Sequence, residues 1–183
     1  MADAIKPEPA GISTGADGDD VINRLAGLAA DAPLARVRAE RPDVVRYAQG
    51  SFRALLEPDD PAGVSRKERE MIAYRAAALT PSPALAAWHL DRLRAMGTSD
   101  AALAAMSPQA DTAGLSAREV AILRHTDLLA REPGAATPAH IAALKAAGLT
   151  PRDIVTISQL IALVSFQART LVGLRLLAEE TKA

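Results

Sequence analysis

Val64-Ser65-Arg66-Lys67-Glu68-Arg69-Glu70-Met71-Ile72 and Leu115-Ser116-Ala117-Arg118-Glu119-Val120-Ala121-Ile122-Leu123 are the two stretches whose comparison decides the fold. A shift of 51 residues, without a gap, carries Ser65 onto Ser116 and Glu68 onto Glu119. The same shift carries His89-Leu90 onto His140-Ile141, Leu93 onto Leu144 and Gly97 onto Gly148. Each Ser-x-x-Glu quartet is a capping box, in which the Ser bonds a backbone N–H and the Glu reaches back to the helix start. Gly97 and Gly148 stand where a left-handed C-cap ends the second helix of each unit. Each half therefore reads as a helical hairpin of about 35 residues. No stretch alternates like a strand, and the chain reads as all-α with an internal helical-hairpin repeat.

The flanks extend that pattern. Pro7, Pro9, Gly11, Gly15 and Gly18 punctuate residues 1–18, which read as a flexible tail ahead of one domain over 19–183. The Asp19-Asp20 pair caps a short helix with Val21, Ile22, Leu25 and Leu28 at helical spacing. Further helices are expected from Pro33 and from Pro42. The latter places Val44, Val45, Ala48, Phe52, Leu55 and Leu56 on one face. Glu57-Pro58-Asp59-Asp60-Pro61-Ala62-Gly63 is a loop. Beyond the repeat, Thr150 and Pro151 supply the N-cap and first position of a last helix. That helix is apolar over most of its circumference, from Ile154 through Phe166 to Leu177, so it needs cover on several sides. It is the central helix of the monomer core, or a second subunit covers it, and the two are not exclusive.

Composition narrows the function classes. A chain of 183 residues suits one domain with a sizeable core. Apolar residues make up 49% but aromatics only 3%, which favours close-packed helices over a sandwich of strands. A net charge of −1 offers no field for phosphate backbones, so no nucleic-acid partner is expected. No segment is expected to approach the roughly 18–20 apolar residues that span a bilayer. The N-terminus lacks the basic start and apolar core of a signal peptide. A cytoplasmic location follows, and the absence of cysteine is compatible with a reducing compartment. No cofactor and no metal site are indicated, since no His-x-x-x-His or carboxylate-rich spacing occurs around His125 and His140.

The chemistry turns on Thr80-Pro81-Ser82-Pro83-Ala84-Leu85-Ala86-Ala87-Trp88-His89, preceded by Glu70. This stretch resembles the active-site segment of the carboxymuconolactone decarboxylase and alkylhydroperoxidase-D-like family. Peroxidase members of that family carry Cys-x-x-Cys-x-x-x-His, with a Glu twelve residues before the first Cys. Here Glu70 and His89 stand at the matching positions, while Ser82 and Leu85 replace the cysteines. The resemblance runs from about Asp19 to Leu177, through Arg41-Pro42-Asp43, Tyr47-Ala48-Gln49-Gly50 and Gln167-Ala168-Arg169, and is closest to the peroxidase-related branch. It implies an all-α bundle assembled as a homodimer, trimer or hexamer, binding a small molecule. In the active peroxidases a cysteine pair reduces hydroperoxides while the Glu and His relay protons. Other members decarboxylate a lactone without thiol chemistry.

On physical grounds Ser82 supplies neither a thiolate nor a sulfenic acid, and Leu85 has no reactive atom. Ser82 before Pro83 has the arrangement of an N-cap and first-position proline. It lies seven residues from His89, about 10 Å along a helix, so a Ser–His nucleophile pair is not expected. Glu70 in isolation is most simply a solvated acid beside Arg66, Lys67 and Arg69, and His89 a core or interface histidine. With the resemblance, the two become candidates for a proton relay in a shared pocket, a carboxylate orienting an imidazole near neutral pH. Trp88 is a pocket candidate or a packing anchor. Tyr74 and Arg75, about one turn beyond Glu70, are candidates to face substrate.

Three readings stay open on the sequence. The chain is a cysteine-less relative of antioxidant-defence peroxidases without thiol catalysis, or an acid–base enzyme on a small acid or lactone using Glu70 and His89. The third is a non-catalytic oligomer that binds a ligand or partner.

Overall fold

The computed structural model describes residues 20–180, and the proposed tail over 1–18 lies outside them. Helices account for all regular structure among the described residues: α1 (Val21–Leu25), α2 (Pro33–Ala39), α3 (Pro42–Leu56), α4 (Arg66–Ala78), α5 (Pro83–Ala95), α6 (Asp100–Ala105), α7 (Ala117–Arg131), α8 (Pro138–Ala146) and α9 (Pro151–Glu180), with a 3₁₀ turn over Pro133–Ala135.

The repeat takes the form that the caps dictate. Glu68 N donates to Ser65 Oγ at 3.2 Å while Ser65 N donates to Glu68 Oε2 at 2.8 Å, and Ser116 and Glu119 reproduce both distances. Gly97 (φ 76°) and Gly148 (φ 82°) adopt the left-handed conformation. Thr98 N reaches Leu93 O at 3.2 Å and Gly97 N reaches Arg94 O at 2.9 Å, the paired bonds of a Schellman motif. Leu149 and Gly148 repeat them on Leu144 and Lys145. Arg118 ties the two halves, donating to Glu68 Oε1 at 2.7 Å and to the Gly63 carbonyl at 2.6 Å.

The first hairpin is the tighter one. α4 packs most heavily on α5, then on α9 and α7, whereas α8 is attached to α7 more loosely. Ala73, Ala76 and Ala77 on α4 are buried, and their small side chains let neighbouring helices approach. Arg69 fastens the 57–63 loop by donating to the carbonyls of Leu55, Pro61 and Val64 at 2.7–2.8 Å.

Two expectations need correction. Phe52 and Leu56 are buried as the α3 pattern requires, but Val44 in the first turn is 55% exposed, since helical spacing fixes a face and not how far along it full burial extends. α9 is also long and apolar enough to cross a membrane by length and composition alone, contrary to the reading that no segment approaches this. Within the fold it is the core helix: Ile157, Leu160, Ile161 and Val164 are buried, and it packs on α1, α3, α4, α7 and α8. Thr150 caps it through a reciprocal pair of bonds with Asp153.

Candidate functional site

Glu70 and His89 meet where α4 crosses α5. The basic residues around Glu70 suggest a solvated face, yet Met71, Ile72 and Ala73, which follow it in the chain, are buried, and its own side chain is 0% exposed. His89 is equally sealed. His89 Nδ1 lies 2.8 Å from Glu70 Oε2. The other carboxylate oxygen, Oε1, accepts from Arg92 Nε at 2.6 Å. Arg92 Nη1 continues outward to Glu57 Oε1 at 2.9 Å, with the Arg92 side chain 26% and Glu57 43% exposed. The arrangement is a chain of alternating character, Glu57–Arg92–Glu70–His89, running from solvent to core.

Aromatic rings complete it. The Trp88 and His89 rings meet edge to face with centroids 4.8 Å apart, and Phe52 lies 5.9 Å from Trp88. The Arg92 guanidinium sits 4.7 Å from the Trp88 ring centroid, within cation–π range. Glu70 accepts from two sides, on Oε1 from Arg92 and on Oε2 from the Nδ1–H of His89. Nε2 is buried and has no hydrogen-bond partner. An unsatisfied buried nitrogen costs about 1–3 kcal/mol, and such groups gather where chemistry or a ligand uses them.

The other candidates fall as follows. Leu85 is fully buried one helical turn before His89, so the position of the second family cysteine points into the core. Ser82 occupies the N-cap position before Pro83, but its side chain makes no capping bond, which corrects the expected role of its hydroxyl. Tyr74 is partly buried against the core. Arg75 is structural rather than substrate-facing: Nε and Nη2 each meet Asp127 at 2.6 Å, and Nη1 reaches the Met106 carbonyl. His140 serves as the third residue of the α8 cap, accepting from Thr137 N at 3.0 Å on Nδ1. No cluster of three or more His, Asp or Glu suited to a metal occurs among the described residues. A cavity of about 210 Å³ opens between the 57–63 loop and the start of α9, lined by Arg69, Arg152 and Asp153, and neither Glu70 nor His89 lines it.

Arg92 and Glu57 escaped the sequence reading. Arg92 stands three residues after His89 on α5, which puts both on one side of that helix; that spacing was the available signal. Glu57 offered none, since it sits at the end of α3 in a proline-rich loop.

Residues 42–128 match the model of the carboxymuconolactone decarboxylase family. The matched segment runs from α3 to near the end of α7 and holds Glu57, Glu70, Trp88, His89 and Arg92. The resemblance read from the motifs is thereby shown, for a relative without the Cys-x-x-Cys pair. Among solved structures, the chain is similar to an Agrobacterium tumefaciens protein of unknown function described as a putative antioxidant defence protein AhpD. The TM-score is 0.65 and the identity 20%, covering 79% of this chain and 94% of that one. It is also similar to an uncharacterised peroxidase-related protein from Ralstonia eutropha with an alkylhydroperoxidase AhpD core, at TM-score 0.60 and 21% identity, covering 81% and 76%. At these identities the likeness shows the fold, an AhpD-like helical bundle. No curated protein matches the chain.

Proposed function

We propose that this protein is a cysteine-less, alkylhydroperoxidase-like protein that uses Glu70 and His89 for proton transfer on a small organic substrate. The observation that carries the reading is the unpartnered Nε2 of a fully buried imidazole whose Nδ1 is held by a carboxylate. In such a pair the lone pair on Nε2 removes a proton from a carbon beside a carbonyl, and the electron pair moves onto the carbonyl oxygen. Glu70 balances the imidazolium until the proton returns to carbon. Thiol reduction of peroxides is a different chemistry, and these 183 residues contain no cysteine to perform it.

Enclosure of Nε2 means that a substrate must displace a neighbouring side chain. A carboxylated lactone is the first class to test, given the carboxymuconolactone decarboxylase segment. Exchange of the proton beside the lactone carbonyl, or migration of a ring double bond, in a panel of such lactones is expected with the wild-type protein, at background in His89→Gln. A panel turned over equally by both proteins would overturn the assignment. Hydroperoxide consumption with a dithiol reductant is expected to stay at the buffer rate.

The same proposal includes a homo-oligomer in the cytoplasm. On α9, Val155, Phe166, Leu176 and Leu177 are exposed apolar side chains that recur on one face of the helix. A second copy of the chain is the cover we assign to that face, in keeping with the assemblies that the family resemblance implies.

A further inference from the structure

Glu70 is a buried carboxylate with two partners of different kinds, a guanidinium on Oε1 and an imidazole on Oε2. A buried charge costs several kcal/mol unless an opposite charge matches it. Were the imidazole the only match, the ring would have to be an imidazolium, and Nε2 would hold a proton rather than a lone pair. Arg92 supplies the matching charge instead, leaving Arg92, Glu70 and a neutral His89 with no net charge. Glu57, 43% exposed, adds only a screened surface pair to the outer side of Arg92.

Arg92 is also held in place. Its guanidinium lies against Trp88 at 4.7 Å and within 5.9 Å of the Phe52 centroid, and Trp88 in turn meets the edge of the imidazole. The residue that neutralises Glu70 therefore braces the ring that walls His89.

We propose that Arg92 is a positioning residue that keeps His89 neutral, with its proton on Nδ1 and its lone pair on Nε2. The proposal rests on the proton-transfer reading of the Glu70–His89 pair and deepens it. It assigns to Arg92 the choice between a base and an acid at Nε2.

Ring-nitrogen NMR on the full chain at neutral pH tests it, with the His89 signals assigned by their loss in His89→Gln. In the wild type, Nε2 is expected to report an unprotonated nitrogen and Nδ1 a protonated one. Arg92→Gln is expected to add a proton to Nε2, and Arg92→Lys, which retains the charge, is expected to leave it bare. An Nε2 that stays unprotonated in a folded Arg92→Gln protein overturns the proposal. So does a protonated Nε2 in the wild type, a reading that stands even if Arg92→Gln fails to fold. The outcome is separable from turnover. The expected NMR pattern without any catalysis would sink the proposed function and keep the role of Arg92, and catalysis with an unchanged ring would do the reverse.

Discussion

The Glu70 carboxylate holds His89 Nδ1 at 2.8 Å in a site where neither side chain touches solvent. Nineteen residues and a helix crossing separate the two in the chain. An interaction so enclosed is strong only while both partners remain.

Glu70→Gln is accordingly expected to destabilise the fold by about 3–5 kcal/mol, the usual cost of removing one member of a buried pair. The neutral amide leaves the Arg92 guanidinium with only the part-exposed Glu57 as a charged partner and His89 Nδ1 with a weaker acceptor. Urea unfolding of both proteins measures it, and a loss below about 1 kcal/mol would show that the pair is not closed as described.

Gly50 and Gly63 are expected to respond to alanine with opposite signs. A Cβ on Gly63 would come within 2.4 Å of Asp153 Oδ1 and 2.7 Å of its Cγ, and Asp153 is fixed by the α9 cap. Gly63→Ala should cost about 1–3 kcal/mol, as overpacking does. Gly50 lies inside α3 with nothing within 4 Å of its would-be Cβ, so Gly50→Ala should stabilise by roughly 0.5–1 kcal/mol. Thermal melts of the two variants give the comparison directly.

His125 predicts the acid side of the stability curve. Burial, followed by the positive charge of a protonated His140, pushes its pKa below the ordinary 6.5. Both ring nitrogens are buried without partners. The unfolded chain therefore takes up this proton first as pH falls, and the fold loses stability progressively below about pH 6.5. Above that pH the group is neutral in both states and contributes no slope. Urea midpoints at about pH 7.5 and about pH 5.5 should draw closer together in His125→Met than in the wild type. An unchanged difference would remove His125 from the account.

Phe166 tests the uncovered face of α9. It is 40% exposed, so Phe166→Asp leaves the core intact. Light scattering is expected to show an oligomer for the wild type and a monomer of unchanged helix content for the variant. A monomeric wild type would contradict the assembly proposed for this face.

Much of the fold was legible because its signals are local. Ser65, Glu68, Ser116, Glu119, Gly97 and Gly148 act within one helical turn, and each does what its spacing requires. The burial of Glu70 was not legible, since Arg66, Lys67 and Arg69 describe a charged helix start and only the crossing of α5 over α4 encloses the next acid. Val44 was misread for a related reason: periodicity assigns a face but not how far along it full burial extends. Arg92 and Glu57 belong to the same class of long-range fact. Their contacts join α3, α4 and α5, and no pattern within one helix encodes that meeting.

Deuterium exchange tests the central claim, that His89 Nε2 with Glu70 behind it moves protons on carbon. Small lactones and keto acids are incubated in heavy water with the wild-type protein or His89→Gln, and incorporation beside the carbonyl is followed by proton NMR. The account predicts exchange faster by about a hundredfold or more with the wild type, the usual contribution of a positioned base. Equal exchange with both proteins, across lactones and keto acids alike, would contradict it and leave Glu70 and His89 as a structural pair.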